Sequence, residues 1–370
     1  MIYADYAAAA PLSERVYEVL CRTSREVFGN PSSAHSAGRT AAAAVERARE
    51  QTAALLGCDP DEVYFTSGGT ESDNHAVHSA AGRGILTSAI EHPAVGNTVR
   101  RVAGRVCIAE PDAAGCVSAD GIARILRETP DIALVSLMYA NNETGVIQPV
   151  RAAADAAHAA GALFHCDAVQ GVGHVMPSVR ELGCDLLSVS GHKFHAPKGI
   201  GALYIRKEIA RTFAPFHDGG GQERGLRSGT LPVPLIAAFG EACAEALERR
   251  TDDDRRVRAL RDRIASELLE IPDSVRIGGG ETMPGILNIA FAGTYGENLM
   301  LLCDLRGVCL STGSACHAGD DTPSHVLTAM GVPEEYRTSS VRISIGRYTT
   351  EEDAGRIAGT VRDCVKLARG

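Results

Sequence analysis

The chain has 370 residues, a formal net charge of -9 at pH 7 and a sequence pI near 5.8. An acidic chain of this kind is not expected to bind nucleic acid directly or to associate with an anionic membrane, and no stretch approaches the run of about 18 apolar residues that spans a bilayer. The N-terminal sequence MIYADYAAAAPL lacks the basic and long apolar regions of a secretion signal, so we expect a cytoplasmic protein.

Patterns typical of helices and strands alternate from about residue 14 to residue 245. Helices are predicted over 41–56, from about 70, and over 150–160, and strands over 63–67, 85–92, 132–140, 162–168 and 185–190. Several of these strands are apolar on both faces, which is typical of a parallel sheet covered by helices. The sequence therefore predicts an α/β fold built on a mainly parallel sheet.

A long, charged amphipathic helix is predicted over 249–270, and after it the pattern changes to fewer, mixed strands such as ILNIAF and SSVRISI. A chain of this length exceeds what one compact core usually supports. We therefore predict a large domain over 14–247 and a smaller α+β domain formed by 1–13 and 248–370.

The cysteines are scattered along the chain without a C-x-x-C pair or a tight cluster of cysteine and histidine. This spacing predicts neither a metal site nor a disulfide framework. In a reducing compartment we expect mostly free thiols, which usually behave as small buried apolar groups.

Three predicted strands are each followed by residues that can bind a ligand or react with it. In parallel sheets, ligands bind at the carboxyl ends of the strands. The first runs into the turn Ser-Gly-Gly-Thr at 67–70, where glycine lets the backbone approach a ligand and helix amides favour a phosphate. The second leads to Asp167 and Gln170, and the third to His192 and Lys193. Taken singly, these features have ordinary explanations: a plain turn, a helix-capping aspartate and a surface lysine.

Together, and in this chain order, the three features are the parts needed to hold pyridoxal 5'-phosphate. The turn would bind the phosphate, and Asp167 would keep the pyridine nitrogen protonated. Lys193, with a pKa lowered by burial and by its neighbours, would form an imine with the cofactor. Lys198 lies in a Pro-Lys-Gly turn beyond the strand end, so it is not the expected reactive amine.

Ten stretches of the chain match, in order, the motifs of one family. They are YADYAAAAP (3–11), GNPSSAHSAGR (29–39), FTSGGTESDN (65–74), EHPAV (91–95), NNETGVIQP (141–149), HCDAVQG (165–171), SVSGHKFHAPKGIGALY (188–204), GGGQERGLRSGTLPV (219–233), STGSACHAG (311–319) and VRISIGR (341–347). The chain resembles the cysteine desulfurases, pyridoxal-phosphate enzymes of the class-V aminotransferase superfamily. The resemblance implies fold type I, with a seven-stranded, mainly parallel sheet, helices on both faces, and a smaller domain that carries a catalytic cysteine loop at about 311–324.

The resemblance also implies how the cofactor is held. His92 would stack on the ring, and Gln170 and Asn142 would contact its phenolic oxygen and surroundings. The phosphate ligands would be Gly69, Thr70, Ser190 and His192, with Thr230 reaching in from the second subunit of a homodimer.

By the same resemblance, Arg342 would bind the substrate carboxylate with help from Asn30. A bidentate contact with a buried carboxylate requires arginine rather than lysine. Taken singly, Arg342 would more often be a surface arginine on a strand, and His92 a core histidine.

The cofactor alone does not select the reaction, so the choice depends on a second nucleophile. Cys316 lies in LSTGSACHAGDDTPSHVL (310–327), whose glycine, serine, threonine and aspartate content is typical of an exposed loop. In the family's mechanism its thiolate, assisted by His92 or His317, would attack the sulfur of L-cysteine. A persulfide would remain on Cys316, and L-alanine would be released.

The SGSAC form of this loop resembles the family branch with a long catalytic loop, which passes sulfur to several acceptor proteins. Iron-sulfur cluster assembly, tRNA thiolation and DNA phosphorothioation all use this chemistry, and the sequence does not select among them. The N-terminal motif departs from the family's usual Asp-Asn-Ala-Ala-Thr-Thr-Pro at Tyr6, Ala9 and Ala10. This departure leaves open what the motif contributes to substrate preference and dimer contacts.

Other functions are compatible with the same residues. A selenocysteine lyase of this fold would keep Lys193 without depending on Cys316 for cysteine turnover. Another pyridoxal-phosphate enzyme, such as a transaminase or a different lyase, would leave Cys316 without a role. A non-catalytic sulfur-relay scaffold would only bind partners and would be colourless when purified.

Overall fold

The computed structural model describes residues 1–312 and 324–370. The strands of this part of the chain are β1 (Ile2–Tyr3), β2 (Val63–Thr66), β3 (Gly84–Ser88), β4 (Arg105–Ala109), β5 (Ile132–Met138), β6 (Leu163–Asp167), β7 (Leu186–Ser190), β8 (Gly201–Ile205), β9 (Ser274–Ile277), β10 (Ile286–Phe291), β11 (Val308–Cys309) and β12 (Ser340–Ser344). Its α-helices are α1 (Glu14–Glu26), α2 (Ser36–Leu56), α3 (Gly69–His78), α4 (Pro93–Val102), α5 (Ala119–Glu128), α6 (Val150–Ala159), α7 (Val179–Leu182), α8 (Lys207–Ala210), α9 (Val233–Leu269), α10 (Gly296–Asp304), α11 (His325–Ala329), α12 (Glu334–Thr338) and α13 (Glu351–Arg369).

Seven strands form one sheet in the order β2-β8-β7-β6-β5-β3-β4. β8 is antiparallel to both of its neighbours, and the other neighbouring pairs are parallel. All residues of β5 are buried, because successive side chains such as Leu134 and Val135 enter apolar cores on opposite faces of the sheet. One core includes residues of α2, α6 and α9, and the other includes residues of α3 and α4. The predicted seven-stranded, mainly parallel sheet with helices on both faces is thus confirmed.

Two smaller sheets lie beside a separate apolar core. β12, β10 and β9 form an antiparallel sheet, and β1 pairs in parallel with β11. This core joins residues of β1, the second half of α9, α10, β12 and α13, among them Ile2, Ile264 and Val361. α9 is one helix of 37 residues that extends from the large core, at Phe239, into this smaller one. The division of the chain at 247/248 into two domains stays a prediction.

Three elements differ by four residues or more from their predicted extent. The strand predicted over 85–92 ends at Ser88, and Ala89 to His92 form the turn that leads into α4. The helix predicted over 41–56 begins at Ser36, as α2. The charged helix predicted over 249–270 is the second half of α9, which begins at Val233. None of these differences changes the sheet order, and the shorter strand places His92 at the N-terminus of a helix.

Within the described ranges, none of the helices combines the length and the apolar character that crossing a bilayer requires.

Candidate active site

A cavity of about 610 Å³ lies where β6 and β7 end and α3 begins. The residues of the predicted site that line this cavity are Gly69, Thr70, His92, Asn142, Asp167, Gln170, Ser190, His192, Lys193 and Arg342. Asn30 and Thr230 are exposed and do not line it. Cys316 and His317 lie outside the described residues.

The start of α3 forms one end of the cavity. Gly68 has a φ of 149°, a conformation that glycine adopts readily, and α3 begins at the next residue. A Cβ added at Gly69 would lie 2.7 Å from Val169 Cγ2 and 3.4 Å from Ser190 Cβ, so glycine allows this turn to lie close to the ends of β6 and β7. The N–H groups of a first helical turn have no partner within the helix and favour an anion.

Ser190 and His192 complete this end of the cavity. Ser190 is the last residue of β7, and its Oγ is 3.0 Å from Nδ1 of His192. Burial lowers the pKa of His192 to about 4, with a further contribution from Lys193 and Lys198. His192 is therefore neutral at physiological pH and can act as a hydrogen-bonding group rather than as a cation.

Asp167 is the last residue of β6 and has an exposed fraction of only 5%. Its Oδ1 accepts a hydrogen bond of 3.0 Å from the backbone N–H of Val169. Burial raises the pKa of the Asp167 carboxyl, whereas His92 and Lys193 act in the opposite direction. A buried carboxyl of this kind is ionised most readily when a cationic group is placed beside it.

Two further buried acids lie near Asp167. Burial and the charge of Asp167 raise the pKa of Asp73, on α3, well above its usual range, and burial raises the pKa of Glu91 to about 8. His165, also buried, lies 2.8 Å from Ser136 Oγ and 3.0 Å from Ser188 Oγ, and burial lowers its pKa to about 3. At physiological pH His165 is therefore neutral and Glu91 largely protonated, and burial favours the protonated form of Asp73.

His92 is the N-cap of α4, and its Nδ1 accepts a hydrogen bond of 3.1 Å from the backbone N–H of Ala94. That contact leaves the proton of a neutral ring on Nε2. Burial lowers the pKa of His92, whereas the charge of Asp167 acts to raise it. A neutral ring, fixed in orientation by a helix cap and lining the cavity, is suited to stacking on a planar ligand.

Lys193 ends a short 3-10 helix (Gly191–Lys193) that follows β7. Its Nζ donates to the carbonyl oxygens of Ala7, at 2.6 Å, and Ala8, at 3.0 Å. Gln170 Nε2 donates to the same Ala7 carbonyl at 3.0 Å. The N-terminal segment 5–10, which we name the strap, thus contacts two predicted site residues through main-chain atoms. Lys198 also lines the cavity but is exposed.

Arg342, on β12, lines the cavity although its exposed fraction is only 2%. Its Nη2 is 2.7 Å from Oδ1 of Asp5, and its Nη1 donates to the carbonyl oxygen of Asn142 at 3.0 Å. The buried Nε–H has no hydrogen-bond partner among the residues that the structure describes. This permanently charged group therefore retains donors for a further anion.

Several residues that the fold brings to this site were not predicted. Glu143 accepts a hydrogen bond of 2.6 Å from Ser324 Oγ, and His325 Nε2 is 3.0 Å from the carbonyl oxygen of Glu91. Asp73, Glu143 and His325 line the cavity. Asp5, Asp73 and Glu143 lie inside matched motifs, so attention to their charge could have identified them. His325 lies outside those motifs and is a single polar residue without a local pattern.

These residues fit pyridoxal 5'-phosphate. The first turn of α3 and the Ser190 hydroxyl offer donors to a phosphate, and the glycines leave room that a Cβ would fill. Asp167 is a buried carboxyl that a protonated pyridine nitrogen would keep ionised. Lys193 supplies the amine, and the cavity volume lies within the usual range for cofactor sites, about 300–1,000 Å³.

Comparisons with known proteins agree with this interpretation. The family model described as aminotransferase class-V matches residues 2–357. A cysteine desulfurase IscS of Methanosarcina thermophila is 42% identical over 379 residues, which cover 100% of this chain and 93% of that protein. A solved NifS-like protein has a TM-score of 0.91 and 34% identity over 99% of both chains. The structure of SspA in complex with cysteine has a TM-score of 0.82 and 33% identity, over 95% of this chain and 100% of that one. The chain belongs to the class-V aminotransferase family.

Proposed function

We infer that this chain is a cysteine desulfurase, which removes the sulfur of L-cysteine and yields L-alanine and a persulfide on Cys316. The observation that carries this inference is that described residues on either side of 313–323 are hydrogen-bonded to residues that line the cavity. On one side, Ser311 exchanges backbone hydrogen bonds of 3.1 and 2.7 Å with Arg342. On the other, Ser324 donates to Glu143, which lines the cavity. The described residues just before and just after the part of the chain that includes Cys316 therefore both contact the wall of the cofactor cavity.

Three side chains of the cofactor site would have distinct roles in the reaction. When bound, pyridoxal phosphate supplies an electron-withdrawing ring that acidifies the Cα–H bond of an attached amino acid. Asp167 would hold the proton on the ring nitrogen, and His92 would support the ring face. Lys193 would hold the cofactor covalently and, once freed by the substrate, would move the proton from Cα.

The substrate side of the cavity would be set by Arg342. Its guanidinium would bind the α-carboxylate of cysteine, because it is buried, charged and has unused N–H donors. The structure of SspA contains cysteine, and the relatives that share 42% identity are named as cysteine desulfurases, which supports cysteine as the substrate.

In the sulfur-transfer step the thiolate of Cys316 would attack Sγ of the substrate. An S–S bond forms and the Cβ–S bond breaks, with its electron pair remaining on the substrate carbon skeleton. Protonation of that skeleton gives L-alanine, and the persulfide sulfur passes to an acceptor or is released as sulfide by a reducing thiol. The thiolate is the reactive form, so its deprotonation is part of the mechanism.

We propose a homodimer that delivers sulfur to an acceptor protein. Thr230 and Asn30 are exposed and do not line the cavity of their own chain. In a homodimer, Thr230 of one subunit would instead contact the cofactor phosphate in the cavity of the other subunit. The cysteines outside 313–323 are all unpaired. Free thiols persist in reducing compartments, and this supports the proposed cytoplasmic location.

The test is release of L-alanine and sulfide from L-cysteine with a thiol reductant, in the wild type and in Cys316→Ala. We expect the variant to keep the cofactor absorbance and its change on adding cysteine, but to lose at least about 100-fold in sulfide release, because the step that breaks the Cβ–S bond lacks its nucleophile. Cys21→Ala, which removes an exposed thiol on α1, is the matched control.

Each alternative function predicts a different result. Normal cysteine turnover by Cys316→Ala would contradict the desulfurase assignment. A selenocysteine lyase would retain selenocysteine turnover in that variant and show little cysteine turnover in either protein. A wild type without visible cofactor absorbance would indicate a non-catalytic scaffold.

A further inference from the structure

Asp5 connects the N-terminus of the chain to the predicted substrate-binding arginine. It lies in the strap and forms an isolated parallel bridge with Ser344, two residues beyond Arg342 on β12. The backbone N–H of Ala7 also donates to Ser344 Oγ at 2.9 Å, and that of Tyr6 to the Ser344 carbonyl at 3.1 Å. These contacts fix the backbone on both sides of the ion pair between Asp5 and Arg342.

In this ion pair the arginine is removed from solvent and the aspartate is partly buried. The side chain of Arg342 is 2% exposed and that of Asp5 21% exposed, with 2.7 Å between Nη2 and Oδ1. A buried guanidinium without a counter-charge carries a large desolvation penalty. Asp5 supplies that counter-charge from within the chain, so the orientation of Arg342 is set before any substrate binds.

The donors of Arg342 can satisfy Asp5 and a substrate carboxylate together. A guanidinium has five N–H donors. One is used by Asp5 and one by the carbonyl of Asn142. The remaining donors include the buried Nε–H, which has no partner in the described part of the chain. A carboxylate that binds in bidentate fashion needs only two, so substrate binding does not require Asp5 to leave.

We propose that Asp5 is a positioning residue that holds the guanidinium of Arg342 in the orientation that receives the substrate carboxylate, and that the strap is therefore part of the substrate site. The proposal rests on the proposed function, since it takes Arg342 as the carboxylate ligand. The strap also contacts Lys193 and Gln170 through the Ala7 carbonyl. One segment thus fixes both the reactive amine and the carboxylate ligand.

The proposal is tested by the binding of L-alanine and of L-alaninamide to the holoenzyme, followed through the cofactor absorbance. The two ligands differ only in the carboxylate. In Asp5→Ala we expect the Kd for alanine to rise about tenfold, which corresponds to about 1.4 kcal/mol, while the Kd for alaninamide stays within about twofold. Asp5→Asn keeps an acceptor oxygen but loses the charge, so it should show a smaller rise. Glu14→Gln, an exposed acid in the first turn of α1, is the matched control.

Steady-state kinetics with L-cysteine provide a second readout. Asp5→Ala should raise KM about tenfold and change kcat by less than about threefold, because a misplaced carboxylate ligand weakens binding without altering the reacting groups. Equal weakening of alanine and alaninamide would indicate a general structural role and would overturn the proposal. Unchanged or tighter binding of alanine by Asp5→Ala would overturn the proposal as well. Tighter binding would show that Asp5 competes with the substrate carboxylate for Arg342.

Failure of the proposed function gives a separate result. If the wild type does not prefer alanine to alaninamide, and Arg342→Lys has no effect on that preference, then Arg342 is not the carboxylate ligand. If the wild type has the preference, Arg342→Lys abolishes it and Asp5→Ala retains it in full, then only the role of Asp5 is wrong.

Discussion

Replacing Glu91 by glutamine should stabilise the protein more in mildly alkaline than in mildly acidic solution. The carboxyl of Glu91 is 3% exposed, and its Oε1 accepts from Ser88 Oγ at 2.5 Å and from the backbone N–H of Met138 at 3.1 Å. Its Oε2 is buried and has no hydrogen-bond partner among the described residues. Glutamine has the same shape and keeps the acceptor oxygen, so the substitution removes the ionisable proton and little else.

The magnitude follows from the pKa of Glu91, which burial raises from 4.5 to about 8. Because the folded state holds this proton more tightly than the unfolded chain, wild-type stability falls as pH rises between these two values and is constant beyond them. At about 1.36 kcal/mol per pKa unit, the fall between about pH 5 and about pH 8 is roughly 3–4 kcal/mol. The variant lacks this loss, so its advantage over the wild type should grow by that amount.

The measurement is urea unfolding of the wild type and Glu91→Gln over this pH range, at fixed protein concentration and saturating cofactor. Glu26→Gln, an exposed acid on α1, serves as control and should give a curve parallel to the wild type. Parallel curves for the wild type and Glu91→Gln would refute the argument, since they would show that Glu91 is ionised in the folded protein throughout. An advantage that shrinks with rising pH would refute the sign.

Two further predictions concern a buried ion pair and the packing of the turn at the start of α3. Glu223→Ala should lower the free energy of unfolding by about 3–5 kcal/mol, because it leaves buried Arg49 without the carboxylate that now contacts it at 2.8 and 3.0 Å. In urea unfolding, the double variant Arg49→Met, Glu223→Ala should lose less stability than Glu223→Ala alone. An equal or larger loss of stability in the double variant would contradict this prediction. Gly69→Ala should weaken cofactor binding about tenfold, since overpacking costs about 1–3 kcal/mol and the added Cβ would lie 2.7 Å from Val169 Cγ2. The measurement is titration of the apoprotein with the cofactor, in which the double variant Gly69→Ala, Val169→Ala should recover most of the lost affinity. No recovery would show that the Val169 side chain does not cause the weaker binding.

The parts of the site that could be predicted are those that follow strands. Asp167 and Ser190 are the last residues of β6 and β7, and the Gly68 turn follows β2. Parallel strands bring their carboxyl ends to one edge of the sheet, so local sequence was sufficient to place these residues together. Lys193 follows for the same reason, within the 3-10 helix after β7.

The residues that escaped prediction depend on contacts between distant parts of the chain. Asp5 contacts Arg342, 337 positions away, and Glu143 contacts Ser324, 181 positions away. The raised pKa of Glu91 arises from burial, and burial depends on the packing of several elements around it. Nothing in the local sequence Ile-Glu-His-Pro distinguishes a buried acid from an exposed one.

The strap also accounts for how the chain accommodates its unusual N-terminal motif. The polar contacts that residues 7–10 make with the site use main-chain atoms: the carbonyls of Ala7 and Ala8 accept from Lys193, and the backbone N–H of Ala10 donates to the His192 carbonyl at 2.7 Å. Any residue at positions 7 and 8, and any residue except proline at position 10, leaves these atoms in place. Tyr6 packs against Gly346 instead, where a Cβ would lie 2.3 Å from its ring. Since Asp5 is retained, the motif can lose its small polar side chains and keep both of its connections to the site.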